Sequence, residues 1–256
     1  MKAAKLLVLA VVLALASTAF LAPATAPAKS VLCSEQPEEF EQAPEEWVLR
    51  CKKDTSLKKV KLVAKQQPLQ KAVLETESGN VFSCEESEME IEGETEGEIG
   101  QQQTKVKITK RSFGKCTTSL APCTTVESIG VATPFEGKFE YAGLKEPNGL
   151  LEMTEPVIVV KLKCGFLGTI TCEYGSSEGE KVNGEVENPT EEEGSQLQIK
   201  IKKPVKKVAG HTFCPETGTE QIQYQVQATE RKRQGKQDDL GPGQVWLAKH
   251  QHVEGG

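Results

Sequence analysis

The chain has 256 residues, with 37 acidic against 31 basic side chains and only 5% aromatics. A formal net charge of −6 argues against nucleic acid and anionic membranes as default partners, because an acidic surface repels both. Eight cysteines, all downstream of position 32, set the second bound.

Residues 1–28 read as a secretory signal peptide. Lys2 and Lys5 precede the apolar run from Leu6 to Ala16, and small residues follow at Ser17-Thr18-Ala19 and Ala26-Pro27-Ala28. A retained anchor needs about 20 apolar residues, whereas Pro23 and Pro27 follow a shorter run here. Loss of the leader removes Lys2 and Lys5 and takes the net charge to −8. A secreted, extracellular or envelope-associated location follows, with no membrane attachment once the leader is gone. In that oxidising setting Cys33, Cys51, Cys84, Cys116, Cys123, Cys164, Cys172 and Cys214 form a disulfide framework. A zinc site is the competing reading. No C-x-x-C hook occurs, and six or seven residues separate the nearest cysteines, Cys116 from Cys123 and Cys164 from Cys172.

Residues 29–56 make a Cys-closed segment, Glu- and Pro-rich between Cys33 and Cys51, expected as a stapled loop or short helix around Trp47-Val48-Leu49. Residues 57–229 carry period-two alternation, the mark of half-buried antiparallel strands. Val60, Leu62 and Ala64 alternate with lysines, and Val73-Leu74 and Val81 to Cys84 flank the turn residues Ser78-Gly79-Asn80. Cys84 to Glu98 holds eight glutamates, yet Met89 and Ile91 alternate with Glu88, Glu90 and Glu92, so a strand with a wet face fits better than disorder. Val106 and Ile108, inward between Lys105 and Lys107, predict a hairpin in which an acidic outer face meets a basic one. Pro147-Asn148-Gly149 turns the strand at 135–141 into Leu150 to Met153. The stretch 157–174 comes next, two strands joined by a Gly-bounded turn with Cys164 and Cys172 inward. Leu197, Ile199 and Ile201, then Ile222, Tyr224, Val226 and Ala228, supply the last strands. Residues 230–256 read as a polar tail in which Val245-Trp246-Leu247 can dock.

The pattern predicts an all-β protein, an antiparallel β-sandwich of jelly-roll-like or Ig-like type stapled by disulfides. Cys33–Cys51 is the expected first bridge, because its loop is self-contained. Two sets remain open for the other six cysteines. One is local: Cys116–Cys123, Cys164–Cys172 and Cys84–Cys214. The other follows an internal echo, in which Cys84, an Ile-Glu-Gly-Glu turn, a Lys-edged strand and Cys116 repeat as Cys172, Val-Asn-Gly-Glu, a Lys-edged strand and Cys214. That echo pairs Cys84–Cys116, Cys123–Cys164 and Cys172–Cys214.

The ordered series Leu32-Cys33, Phe82-Ser83-Cys84, Phe113-x-x-Cys116, Pro122-Cys123, Gly149-Leu150, Val160-x-x-x-Cys164, Cys172-x-Tyr174, Cys214-Pro215 and Tyr224-x-Val226 resembles a group of exported, cysteine-rich β proteins of soil actinobacteria. The resemblance spans about residues 32–228 and implies an exported, disulfide-bonded β fold. It carries over no catalytic residue, and this chain departs from it in its Glu/Lys content and charged tail.

Candidate chemistry is sparse. His211 is the one base in the folded region, His250 and His252 lie in the tail, and no G-x-S-x-G elbow occurs. The acidic run from Glu85 to Glu98 lacks the Asp and Asn that calcium loops use. No catalytic residue, metal ligand or cofactor is therefore assigned. The expectation is a non-enzymatic exported β domain with a structural or binding role toward an unknown protein or envelope partner. The alternatives are a secreted hydrolase using His211 and a Glu, and an inhibitor-like module with a rigid exposed loop between bridged cysteines such as Cys116 and Cys123.

Overall fold

The computed structural model describes residues 30–76, 79, 81–96, 103–154, 157–175, 181–192, 194–235 and 239–249. Residues 1–28, expected as a leader, and His250 and His252 lie outside the described residues. The strands are β1 (Ser30–Cys33), β2 (Glu38–Ala43), β3 (Glu46–Arg50), β4 (Leu57–Gln66), β5 (Ala72–Thr76), β6 (Val81–Glu96), β7 (Gln103–Thr118), β8 (Thr125–Val131), β9 (Phe135–Tyr141), β10 (Gly149–Met153), β11 (Ile158–Cys164), β12 (Gly168–Gly175), β13 (Val182–Glu187), β14 (Leu197–Gly210), β15 (Thr217–Arg233) and β16 (Trp246–Lys249).

The expected antiparallel, sandwich-like all-β fold is present, and its two faces join at both edges. β4 and β5 run consecutively along the same neighbours, β6 on one side and β15 on the other, so they act as one interrupted wall. The pairs β8 with β9, β10 with β11, and β12 with β13 do the same. Following the pairings from β4/β5 through β6, β7, β8/β9, β10/β11, β12/β13, β14 and β15 returns to β4/β5, a closed ring of eight wall positions. Each wall neighbours its predecessor in the chain, an up-and-down order rather than the Greek-key crossings of jelly-roll and Ig sandwiches. Proline explains two of the breaks, since it cannot donate a ladder hydrogen bond. Pro68, followed by Leu69 in a left-handed conformation (φ 66°), ends β4, and Pro134 separates β8 from β9. Across the first break the Gln66 side-chain amide donates to the Glu85 carbonyl at 2.9 Å, which ties the gap to β6.

Alternation along each wall sends apolar side chains inward. Two buried clusters result, one around Leu62, Ile91, Ile108, Phe139, Leu151 and Val226, the other around Phe82, Val160, Leu162, Ile170, Tyr174 and Val205. The order β1-β16-β3-β2 forms a small second sheet, correcting the loop or short helix expected for residues 29–56. β1 is buried throughout, and Leu32 and Leu247 enter the first cluster, closing that end of the ring. The C-terminal region is held by two side chains. Asn188 donates to the Leu247 carbonyl (2.9 Å) and accepts from the Leu247 N–H (2.7 Å). The Arg231 guanidinium donates to the carbonyls of Ser34, Gly241, Pro242 and Gln244.

The outer face explains the unusual composition. On neighbouring strands Glu94 stands opposite Lys59 and Lys105, Glu92 opposite Lys61 and Lys107, and Glu90 opposite Lys110. Lys59–Glu94 (3.3 Å) and Lys110–Glu88 (2.8 Å) are among the resulting ion pairs. A closed ring has no free edge to guard, so these charges serve as ladders, each rung contributing on the order of 0–1 kcal/mol. Charge outside and hydrocarbon inside is the reverse of a lipid-facing barrel.

A pH response follows from the same ladders. A hydrogen bond from Lys110 holds the Glu88 carboxyl below the usual range, so its stabilisation is present above the unfolded carboxylate value and is lost as pH falls through the lower folded value. Hydrogen bonds donated to glutamate carboxylates raise Lys105 and Lys110, so their stabilisation is full below the unfolded lysine value and is lost as pH rises through the raised one. Denaturant midpoints should therefore form a plateau between about pH 5 and pH 10 and fall on both sides. A slope across that plateau would count against the ladders.

Candidate functional site

The eight cysteines pair as Cys33–Cys51, Cys84–Cys116, Cys123–Cys164 and Cys172–Cys214. This is the set given by the internal echo. The local set is corrected: Cys116 faces Cys84 across β6 and β7, so no bridge closes the loop from Cys116 to Cys123. Among the described residues no three His, Cys, Asp or Glu side chains gather as a metal site would need.

His211 lies in the β14–β15 loop. Its Nδ1 accepts from the Phe213 N–H at 3.2 Å, and its ring stacks on Phe213 with centroids 5.5 Å apart. Its backbone N–H donates to the Thr171 carbonyl. The imidazole is thus engaged by its own loop. Among the described residues it has no hydrogen bond to a serine hydroxyl or a carboxylate, which a nucleophile–base pair would need.

Three charged residues that the alternation did not single out occupy inward positions at the waist, between the two apolar clusters. Lys203 continues the inward row of β14 and Glu220 that of β15, while Arg111 turns inward on β7 past the bulge that shifts the register between Ile108 and Lys110, and all three are buried. Arg111 Nη2 donates to Glu220 Oε1, and Lys203 Nζ lies 3.2 Å from Glu220 Oε2. Beside them the Ser87 and Tyr224 hydroxyls share a hydrogen bond at 2.8 Å. Burial opposes the charge on Arg111, but the Glu220 carboxylate and the Tyr224 hydroxyl together more than offset this, and the guanidinium is held above its ordinary value. Burial raises the Tyr224 phenol. An adjoining cavity of about 30 Å³, lined by Leu74, Phe82, Phe113, Val160 and Glu220 among others, has the room of a single water. Ligand pockets are roughly ten times larger or more. The waist is a structural layer. A signal for two of the three was present: Lys203 and Glu220 carry a charge at the phase of the alternation reserved for apolar side chains, whereas Arg111 is brought inward by a bulge that the alternation does not show.

The end of the ring opposite β1 and β16 has a different character. β11 and β12 meet there through a 3₁₀ turn, Gly165–Leu167, with both flanking glycines at positive φ (Gly165 37°, Gly168 69°). A turn this tight turns Leu167 onto the inner cluster and leaves Phe166 88% exposed. On the neighbouring strand and loop, Val208 is 50% and Phe213 48% exposed. Cys123–Cys164 anchors the turn at its base, and Cys172–Cys214 anchors the loop beside Phe213. Lys161, Lys163 and Lys206 are exposed around these tips and form no ion pair among the described residues. Glu127 and Glu173 share the surface, with Glu127 accepting from the Thr169 hydroxyl at 3.1 Å. Apolar tips held rigid in water lose little entropy when a partner covers them. Both aromatics could have been flagged from sequence, Phe166 by its position between two turn glycines and Phe213 by its place next to Cys214.

No family model, curated protein or solved structure matches the chain.

Proposed function

We propose that the chain is a non-enzymatic exported β protein with a structural or binding role at the cell envelope or outside the cell, exerted through its stapled end. The observation that carries this reading is the pair of exposed aromatics, Phe166 and Phe213, each fixed beside a disulfide. Four bridges fit an oxidising compartment. Against the hydrolase reading stands the engagement of His211 with Phe213.

Chemical cross-linking on intact cells and in culture medium, followed by recovery of the protein, tests the proposal. The wild type should capture a partner, and Phe166→Ser/Phe213→Ser should lose most of that capture while keeping its unfolding midpoint, since both side chains are exposed. Release of soluble fragments from envelope material that stops in His211→Ala would overturn the reading in favour of a hydrolase.

A further inference from the structure

The small sheet at the opposite end carries a second exposed feature, of opposite sign. β2 and β3 form a finger whose β2 strand is the edge of its sheet and is almost wholly exposed. Between Glu35 and Glu46 it holds six glutamates and no lysine or arginine. Glu38 pairs with Arg50, Glu46 with Lys249 and Glu35 with Arg233, which leaves Glu39, Glu41 and Glu45 without an ion pair among the described residues. Phe40 and Trp47 are exposed beside them, at 39% and 49%. The molecule thus carries an acidic finger with two aromatics at one end, and at the other a surface with two aromatics and three lysines that form no ion pair among the described residues.

We infer that the finger of one copy docks on the stapled end of a second copy, so that the protein associates head to tail. This deepens the reading above, on which it rests, by naming the partner of the same surface. Charge complementarity selects this partner. The lysines Lys161, Lys163 and Lys206 oppose Glu39, Glu41 and Glu45, and apolar tips face apolar tips. The simpler association, edge-to-edge pairing of β2 with β2 of another copy, sets glutamates against glutamates, and like charges directly opposite are destabilising. The contact joins two different surfaces and has no two-fold axis, so a pair of copies keeps one finger and one stapled end available for further copies. Such contacts close into rings or continue as filaments.

Sedimentation velocity of the exported protein over a concentration series is the test. The wild type should form species larger than dimers as concentration rises, and less so at high salt, because the steering charges are exposed. Phe40→Ser/Trp47→Ser and Phe166→Ser/Phe213→Ser should each weaken self-association by about tenfold or more. An equimolar mixture of the two variants should give dimers and nothing larger, because only one intact finger and one intact stapled end remain. The charge reversals Glu39→Lys/Glu41→Lys and Lys161→Glu/Lys163→Glu should each disrupt association and restore it when combined in one chain. A wild type that stays monomeric up to about 100 µM (a free energy of roughly −5.5 kcal/mol at that Kd), or a two-fold dimer that the mixture does not re-form, would overturn the inference. A monomer that still captures a different partner through Phe166 and Phe213 would overturn the inference alone. Assembly accompanied by His211-dependent hydrolysis would overturn the functional reading alone.

Discussion

Glu220→Ala should lower the unfolding free energy by about 3–5 kcal/mol, the loss typical when one member of a buried ion pair is removed. Glu220 is the carboxylate to which both Arg111 and Lys203 turn, and two cations remain behind in a layer with 0% and 9% side-chain exposure. The melting temperature should drop by about 10–15 °C for a domain of this size. Replacing all three together, Arg111→Met, Lys203→Met and Glu220→Leu, should leave stability within about 1 kcal/mol of the wild type or raise it, because apolar groups of similar volume escape the desolvation cost. Urea denaturation with the disulfides intact reads both outcomes. A Glu220→Ala protein as stable as the wild type would mean that the waist does not carry the energy assigned to it. The contrast between single and triple replacements separates the cost of breaking the layer from the worth of having it.

Removal of the Cys172–Cys214 bridge, as Cys172→Ala/Cys214→Ala, should cost about 4 kcal/mol on loop-closure entropy for its sequence separation of 42. Cys33→Ala/Cys51→Ala, with a separation of 18, should cost about 3 kcal/mol by the same relation. The functional consequences differ more than the energies. The first bridge holds the loop that carries Phe213, so partner capture should fall with it even where the ring remains folded. The second holds the base of the capping sheet, and its loss should leave the stapled end intact. Amide exchange should accordingly rise around residues 208–216 in the first variant and around residues 30–56 in the second.

Period-two alternation was enough to read the strands around 104–110, 135–153 and 157–174, because each has one wet face and one dry face and is joined to its neighbour by a Gly-bounded or Asn-Gly turn. The acidic-basic hairpin was legible for the same reason, and the echo pointed to the bridges. Ring closure was not. It depends on pairing β15 with β4, where glutamines at 225 and 227 face Lys65 and Val63, and uncharged amides carry no sign that names a partner. The continuity of the walls was hidden as well, since Pro68 and Pro134 look like strand ends in sequence while the ring continues past them. The waist escaped because Lys203 and Arg111 each follow a lysine, Lys202 and Lys110, so the eye assigns the run to the wet face; the phase of Ile199, Ile201 and Val205 shows that Lys203 points inward. The capping sheet was missed because Val31 and Leu32 are too short an apolar run to declare a strand, and their ladder partner β16 lies more than 200 residues away, held in place by the Asn188 and Arg231 contacts.

Peptide mapping of the protein under non-reducing conditions tests the stapled ring most directly. The account predicts Cys33–Cys51, Cys84–Cys116, Cys123–Cys164 and Cys172–Cys214 with no free thiol. Recovery of Cys116–Cys123 and Cys164–Cys172, or of reduced cysteines in protein made in an oxidising compartment, would contradict both the ring and the rigid end built on it.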